Sequence, residues 1–516
     1  MVTASISGSA MNKHQKRSGI LLHPTALPGP YGIGDLGPEA YKFIDNLSKM
    51  GQSIWQILPL GPTDPSFSPY SLMSTFAGNH LLISLELLVK NGLLSPEDIS
   101  SLPILNNRRV EFDAVIRYKM PILNKVCGNF EKLASLEIWK SFNEFCNNND
   151  YWLDDFSKFW TLKQENMEKS WIEWESEKIN NPELVNNAKI IQFLFHDQWS
   201  RLQKYCRDRQ ISIIGDIPLY VSYDSADVWA NNELFQLDES GNMQFQSGSP
   251  PCKYNDEGQI WENPLYDWAK HEEDNFKWMK LRFKKLLEMV DVARLDHFIG
   301  YKRYYRIPID QSTAMQGEWL PGPGKILFQE LLSKMQNIKV IAEDLGDITK
   351  DVIKLRDQFN FPGMQVLQFE LDTVGFKSSY PENSVVYTGT HDNDTLRGWF
   401  NSLPERDPTG RILNQEKLLD SFNCSCDNIH WEIINYALRT SSNTVIIPLQ
   451  DILGLDSAGR FNTPGTISDK NWTWRLEKGQ LTEIYKNQMV DISITNKRKP
   501  SMMINQNKQS VMADEL

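Results

Sequence analysis

Short apolar, β-branched runs recur along the chain, and most end in glycine, proline or a polar cluster. They are GILLHP (19–24), SIWQILPLGP (53–62), ISIIGDIPLYV (211–221), VDVARLDHF (290–298), KVIAEDLG (339–346), MQVLQFEL (364–371), SVVYTGTHDND (384–394) and NTVIIPLQD (443–451). Their apolar positions are continuous rather than alternating, which indicates strands buried on both faces, as in a parallel sheet covered by helices. Ahead of several of them the spacing turns helical. PEAYKFIDNLSKMG precedes the second run, HDQWSRLQKYCRDRQ the third, FKWMKLRFKKLLEMV the fourth and GKILFQELLSKMQN the fifth. Eight alternating β and α units predict an α/β fold, the (β/α)8 TIM barrel. A doubly wound open sheet is the alternative, but no phosphate-binding GxGxxG follows an early strand.

Such a barrel needs only about 250 residues, so roughly half of this 516-residue chain must be inserted. The longest gap, about 63–210, carries helical patterns such as SLEIWKSFNEFCNNNDYWLDDFSKFWTLKQ and predicts a mostly helical subdomain. A second gap, about 222–280, contains FQSGSPPCKYNDEGQIWENPLYDW, whose proline, glycine and asparagine content predicts an ordered loop insertion. The catalytic barrel is expected over 17–496, with a flexible leader at 1–16, a disordered polar tail at 497–516 and no C-terminal β-sandwich domain.

Composition narrows the partner. The 54 Lys and Arg against 66 Asp and Glu leave a formal charge of −12, which repels a phosphate backbone or an anionic membrane. No nucleic acid and no membrane are expected as partners, and the ligand should be uncharged or weakly charged. No apolar run approaches the roughly 18 residues of a membrane span. The six cysteines form no framework, which suits a reducing, cytoplasmic setting, or a plastid in a plant or alga. Cys424 and Cys426 make a CxC with no second pair, so no metal site is expected there.

The ends of the runs carry the candidate chemistry. The fourth run is apolar until Arg294, then gives Asp296 and His297; the third carries Asp216; the fifth ends in Glu343 and Asp344; the seventh ends in His391, Asp392 and Asp394. All lie at C-terminal strand ends, the catalytic face of a barrel. Taken singly, each carboxylate could be a helix cap or a structural ion pair. Together they would converge on one pocket. Arg294 argues against a metal cation there. Instead it would hold a neighbouring carboxylate ionised, lowering its pKa, as a carboxylate nucleophile requires. Glycoside chemistry needs one carboxylate to attack the anomeric carbon and a second, with raised pKa, to protonate the leaving oxygen, the two about 5 to 5.5 Å apart. Asp296 fits the first role and Glu343 the second, with Asp392 binding sugar hydroxyls. Neither half-reaction requires a cofactor.

RLDHF, AEDLG and GTHDNDT resemble conserved regions of the α-amylase clan. RSGILLHPTALPGPYGIGDLG, WQILPLGPT, SPYS, FAGN, GDIPLYV, DVWANNELF, GQIWENPLYDW and NTPGTISDKNWTWRL extend the likeness over nearly the whole chain. The sequence resembles the 4-α-glucanotransferases, the amylomaltase or disproportionating-enzyme family. That resemblance implies Asp296 as nucleophile, Glu343 as general acid/base and Asp392 as transition-state stabiliser. It places Arg294, His391, Ser68, Tyr70, Asp216, Gln259, Trp261, Asn263 and Asp372 on positions that contact glucan. The implied partners are α-1,4-glucans and maltooligosaccharides, with glucose as an acceptor. An α-1,4-glucan hydrolase on the same barrel and a non-catalytic glucan-binding protein remain as alternatives. The chain departs from the family pattern at His80, in SGSPP and CKYNDEGQ, at Glu262 where glycine is typical, and at Asp469; these changes are expected to touch the loop overhanging the acceptor side.

Overall fold

In the computed structural model, which describes residues 16–498 apart from 102, 104, 252–255, 336–337, 347, 375–378 and 407–412, each apolar run contributes one strand of a closed barrel. Its strands are β1 (Arg17–Leu21), β2 (Ile54–Gln56) and β3 (Ser212–Ile217). Four strands of a second sheet, β4 (Phe245–Ser249), β5 (Gln259–Ile260), β7 (Arg303–Pro308) and β8 (Glu318–Pro321), interleave in sequence with the barrel strands β6 (Val292–Leu295) and β9 (Val340–Ala342). The set closes with β10 (Gly363–Val366), β11 (Ser384–Tyr387) and β12 (Thr444–Pro448). Barrel order is β1-β12-β11-β10-β9-β6-β3-β2, and every pairing is parallel. The sixth run is shorter than its pattern suggests. Its strand stops at Val366 and Leu367–Val374 is helical, because an apolar run alone does not separate a buried strand from the helix that continues it.

The gap after β2 is helical. Phe112–Leu133, Leu136–Asn148, Asp150–Glu165 and Pro182–Asp208 are its long helices. Local caps start them: the Ser135 hydroxyl accepts from the Ile138 amide, and Asn181 accepts from the Glu183 amide with Pro182 in the first turn. The last helix serves both bodies, packing with Asp150–Glu165 and leading into β3. Lys119, fully buried, donates to the Leu81 and Ile83 carbonyls at 2.7 Å each and so docks the first helix onto the segment after β2.

The second gap is not a loop throughout. β4 and β5 join β7 and β8 in an antiparallel sheet of order β5-β4-β7-β8. β7 leaves from the catalytic end of β6 after one short helix, Ile299–Lys302, so this sheet stands over the barrel mouth. Its strands, FQSGS and EWLP among them, are short and polar. Only pairing between distant segments makes them strands.

The packed chain runs two residues into the segment expected to fray. Arg498 is fully buried, and its guanidinium donates to the carbonyls of Ser442 (2.7 Å), Leu438 (3.0 Å), Thr440 (3.1 Å) and Arg17 (3.3 Å). It ties the C-terminal helix to β1 and to the approach of β12. Residues 1–15 and 499–516 of the expected leader and tail lie outside the described residues. Arg498→Met leaves several buried carbonyls without donors, at about 1–3 kcal/mol for an unsatisfied group. Urea denaturation should show a loss of about 3 kcal/mol, and Arg498→Lys a smaller one.

Candidate active site

Parallel register brings the first charges together. Asp216 in β3 pairs directly with Arg294 in β6, so their side chains share a face, and Asp296, two residues on from Arg294, shares it too. Arg294 Nη1 donates to both Asp216 oxygens, at 2.6 and 2.7 Å, and to Asp296 Oδ1 at 2.9 Å. The Arg294 side chain is 5% exposed and that of Asp216 0%, against 28% for Asp296. Burial works against the guanidinium charge, but the adjoining Asp216 and Asp296 outweigh it and hold Arg294 charged. Asp216 is thus a fixed counter-ion, and Asp296 is the member of the trio that faces the opening.

Glu343 follows β9 immediately. Its carboxyl accepts from the His297 amide (2.7 Å) and the Leu345 amide (3.1 Å); no cation contacts it directly among the described residues. Burial pushes Glu343 up to about 8, with the Asp296 charge adding to the effect and Arg294 opposing it. Asp296 is also pushed up by burial, to about 7, with Arg294 opposing and Asp216 adding. This corrects the expectation that Arg294 sets Asp296 below the ordinary range: Arg294 acts in that direction, but it is shared with Asp216 and does not overcome desolvation. The ordering of the pair survives. Both carboxyls are raised by burial, and only Asp296 has an ionic hydrogen bond to oppose that rise.

Opposite them stands a wall of rings. Tyr70 and His391 stack at 5.1 Å and 17°, and Trp472 lies 6.0 Å from each. The Tyr70 hydroxyl donates to Asp216 Oδ2 at 2.5 Å. Ser68 turns the chain into this wall, its hydroxyl accepting from the Tyr70 amide at 3.2 Å. His391 is pulled below its usual value by burial, against the pull of Asp392, and its Nε2 lies 3.4 Å from Asp392 Oδ1. Asn462 Nδ2 donates to the same Asp392 oxygen at 2.6 Å, leaving Oδ2 for a ligand. Sequence reasoning missed Asn462 and Trp472. Both lie in the irregular stretch 462–474, where no periodicity assigns a face, and Trp472 adopts a left-handed φ of 65°, a costly conformation for a bulky residue.

The inserted sheet supplies the other wall. Trp261 lies edge-on to His297 at 4.8 Å and 85°, and its indole N–H donates to Gln259 Oε1 at 3.0 Å. The Trp261 amide bonds to the Ser247 carbonyl and the Ser247 amide to the Asn263 carbonyl, at 3.0 and 2.9 Å, so Gln259, Trp261 and Asn263 form one rim. Glu262 between them has φ 55°, the left-handed region that glycine occupies most cheaply. His80 does not belong to this rim. It is buried against Trp160, ring to ring at 5.0 Å and 70°, and fills the core of the helical insertion. Asp372 falls on the helix Leu367–Val374, with its side chain outside the described residues. Asp344 is taken up structurally by Arg356 and the Met364 amide. Among the described residues no three His, Cys, Asp or Glu are arranged to hold a metal ion, and no helix is long and apolar enough to cross a membrane.

Comparison with known proteins agrees with this geometry. The sequence model of 4-α-glucanotransferases, glycoside hydrolase family 77, matches residues 22–482. The chain is 43% identical over 486 residues to the 4-α-glucanotransferase of Synechocystis sp., covering 90% of this chain and 95% of that one. It is 40% identical over 487 residues to the chloroplastic/amyloplastic 4-α-glucanotransferase of Solanum tuberosum, covering 90% and 82%. The solved amylomaltase of Streptococcus agalactiae in complex with acarbose superposes with a TM-score of 0.88 at 33% identity, covering 94% of this chain and all of that one. With a barrel, a carboxylate constellation and a full-length match in agreement, the chain belongs to the 4-α-glucanotransferase family, glycoside hydrolase family 77.

Proposed function

We propose that Asp296 is the nucleophile, Glu343 the general acid/base and Asp392 the transition-state stabiliser of a retaining transfer between α-1,4-glucans. The observation that carries this assignment is the division of partners: Arg294 bonds Asp296 but not Glu343, whose buried carboxyl has only two backbone amides to oppose its desolvation. An Asp296 oxygen attacks C1 of the donor sugar as its bond to the leaving 4-oxygen breaks. The Glu343 proton goes to that oxygen, releasing the reducing-side fragment and leaving a β-glucosyl ester on Asp296. The 4-hydroxyl of an acceptor glucan or glucose then gives its proton to Glu343, attacks C1 and frees the Asp296 carboxylate. Two inversions give retention. Asp392, fixed through one oxygen by Asn462, offers the other to ring hydroxyls as charge develops at C1. No metal or cofactor enters either half.

The ring walls support transfer over hydrolysis. They offer flat apolar faces to sugars and shield the ester from water. Ser68, Tyr70, Arg294, His391, Gln259, Trp261, Asn263 and Asp372 complete the proposed glucan-binding set; Asp216, expected there as well, is fully enclosed and held by Arg294 and Tyr70 instead. Relatives named from bacteria and from chloroplasts or amyloplasts support a cytoplasmic or plastid setting.

Maltotriose alone should yield glucose and a ladder of longer maltooligosaccharides, and Asp296→Asn should abolish both. Products limited to glucose and maltose would instead identify a hydrolase, and binding without turnover a non-catalytic protein. The proton assignment makes a separate prediction. Glu343 must be protonated for the first step, so kcat/KM should fall as pH rises through about 8. With a glycosyl fluoride donor, whose leaving group needs no proton, that alkaline limb should vanish from the first half-reaction while Asp296 stays essential.

A further inference from the structure

The loop that carries Asp392 leaves that side chain half-exposed, at 43%, so hydrogen bonds rather than enclosure set its position. The loop hangs on polar tethers: Asn393 Oδ1 accepts from the Thr390 amide and hydroxyl (2.9 Å each), Gln368 Nε2 donates to the Asp394 carbonyl (2.7 Å), and Ser457 donates to Asp394 Oδ2 (2.6 Å). Among the described residues, Arg460 is the one side chain from another loop that bonds the Asp392 backbone. Arg460 Nη2 donates to the Asp392 carbonyl at 2.7 Å, while its Nε donates to the Asn462 carbonyl at 2.7 Å.

We propose that Arg460 is a positioning residue for transfer, holding the backbones of Asp392 and Asn462 in the one spacing that lets the Asn462 amide bond Asp392 Oδ1. This rests on the role assigned to Asp392 above. Among the described residues no carboxylate lies within 4.0 Å of Arg460, and its guanidinium bonds go to these two carbonyls. A planar guanidinium reaches both at a fixed angle, which a lysine ammonium does not. The bracket spans the chain after β11 and the chain after β12, adding a backbone link to the Asn462–Asp392 and Ser457–Asp394 bonds that also join them. Without it, the Asp392 backbone loses the contact that sets its spacing from Asn462. A displacement of about 1 Å in such a group costs on the order of a hundredfold in rate.

The test is a double-mutant cycle in a glycosyl fluoride assay, which keeps weak variants measurable. Arg460→Met should lower kcat about a hundredfold with KM within about threefold, because Asp392 acts on the transition state. In an Asp392→Asn background the same change should cost less than about threefold. Equal losses in both backgrounds, or a raised KM with kcat unchanged, would overturn the proposal. Where Arg460→Met does not fold, judged by its thermal melt, Arg460→Lys carries the same cycle, with a smaller loss that again disappears beside Asp392→Asn. The wild-type product ladder from maltotriose stands or falls independently of Arg460, so failure of the bracket and failure of the transferase assignment give different results.

Discussion

Arg294 is a cation with almost no water around it, and the catalytic end of the barrel is arranged to satisfy it. A buried guanidinium is tolerated only with ionised, hydrogen-bonded partners. Two carboxylates, Asp216 and Asp296, converge on its Nη1, and this divides the labour among the acids. Asp216 is enclosed and spent on charge balance. Asp296 keeps its charge and its access. Glu343, without a direct cation, is the proposed proton carrier. One side chain thus sets three roles, and it does so from the middle of a strand, where the barrel allows it little movement.

Around that centre the insertions build walls rather than new chemistry. The segment after β2 brings Tyr70 to Asp216, the sheet of β4, β5, β7 and β8 brings Trp261 to His297, and the chain after β12 brings Asn462 and Trp472 to Asp392 and His391. Each wall is anchored on a charged residue of the centre or its immediate neighbour. Sugar recognition and water exclusion are therefore coupled to the charge arrangement through short paths. The strained backbone at Glu262 and Trp472 lies on these walls, where local cost is offset by contacts on either side.

The barrel was legible because strands buried on both faces leave continuous apolar runs, and the catalytic candidates were legible because a barrel puts function where those runs end. Asp216, Arg294 and Asp296 even follow from strand order, since parallel register alone makes the first two neighbours. Other features were out of reach for physical reasons. FQSGS and EWLP become strands only by pairing with distant segments. MQVLQFEL changes from strand to helix inside one apolar run. Arg498 reads as part of a polar tail, yet its value lies in carbonyls contributed by two other segments, 438–442 and Arg17. Asp296 was expected to be shifted down by Arg294, and the sequence carries no measure of the burial that opposes it. Asn462, Arg460 and Trp472 sit in a stretch without periodicity, so their contacts with Asp392 and His391 exist only in three dimensions.

In the proposed reaction Glu343 holds the proton while Arg294 keeps Asp296 ionised. Difference infrared spectroscopy of the carboxyl region, comparing wild type with Glu343→Gln and Asp296→Asn across pH, tests it most directly. Between pH 7 and 8 a protonated-carboxyl band is expected in wild type, lost as pH rises past about 8, missing in Glu343→Gln and retained in Asp296→Asn. A band that persists in Glu343→Gln and is lost in Asp296→Asn would place the proton on the wrong carboxylate and contradict it.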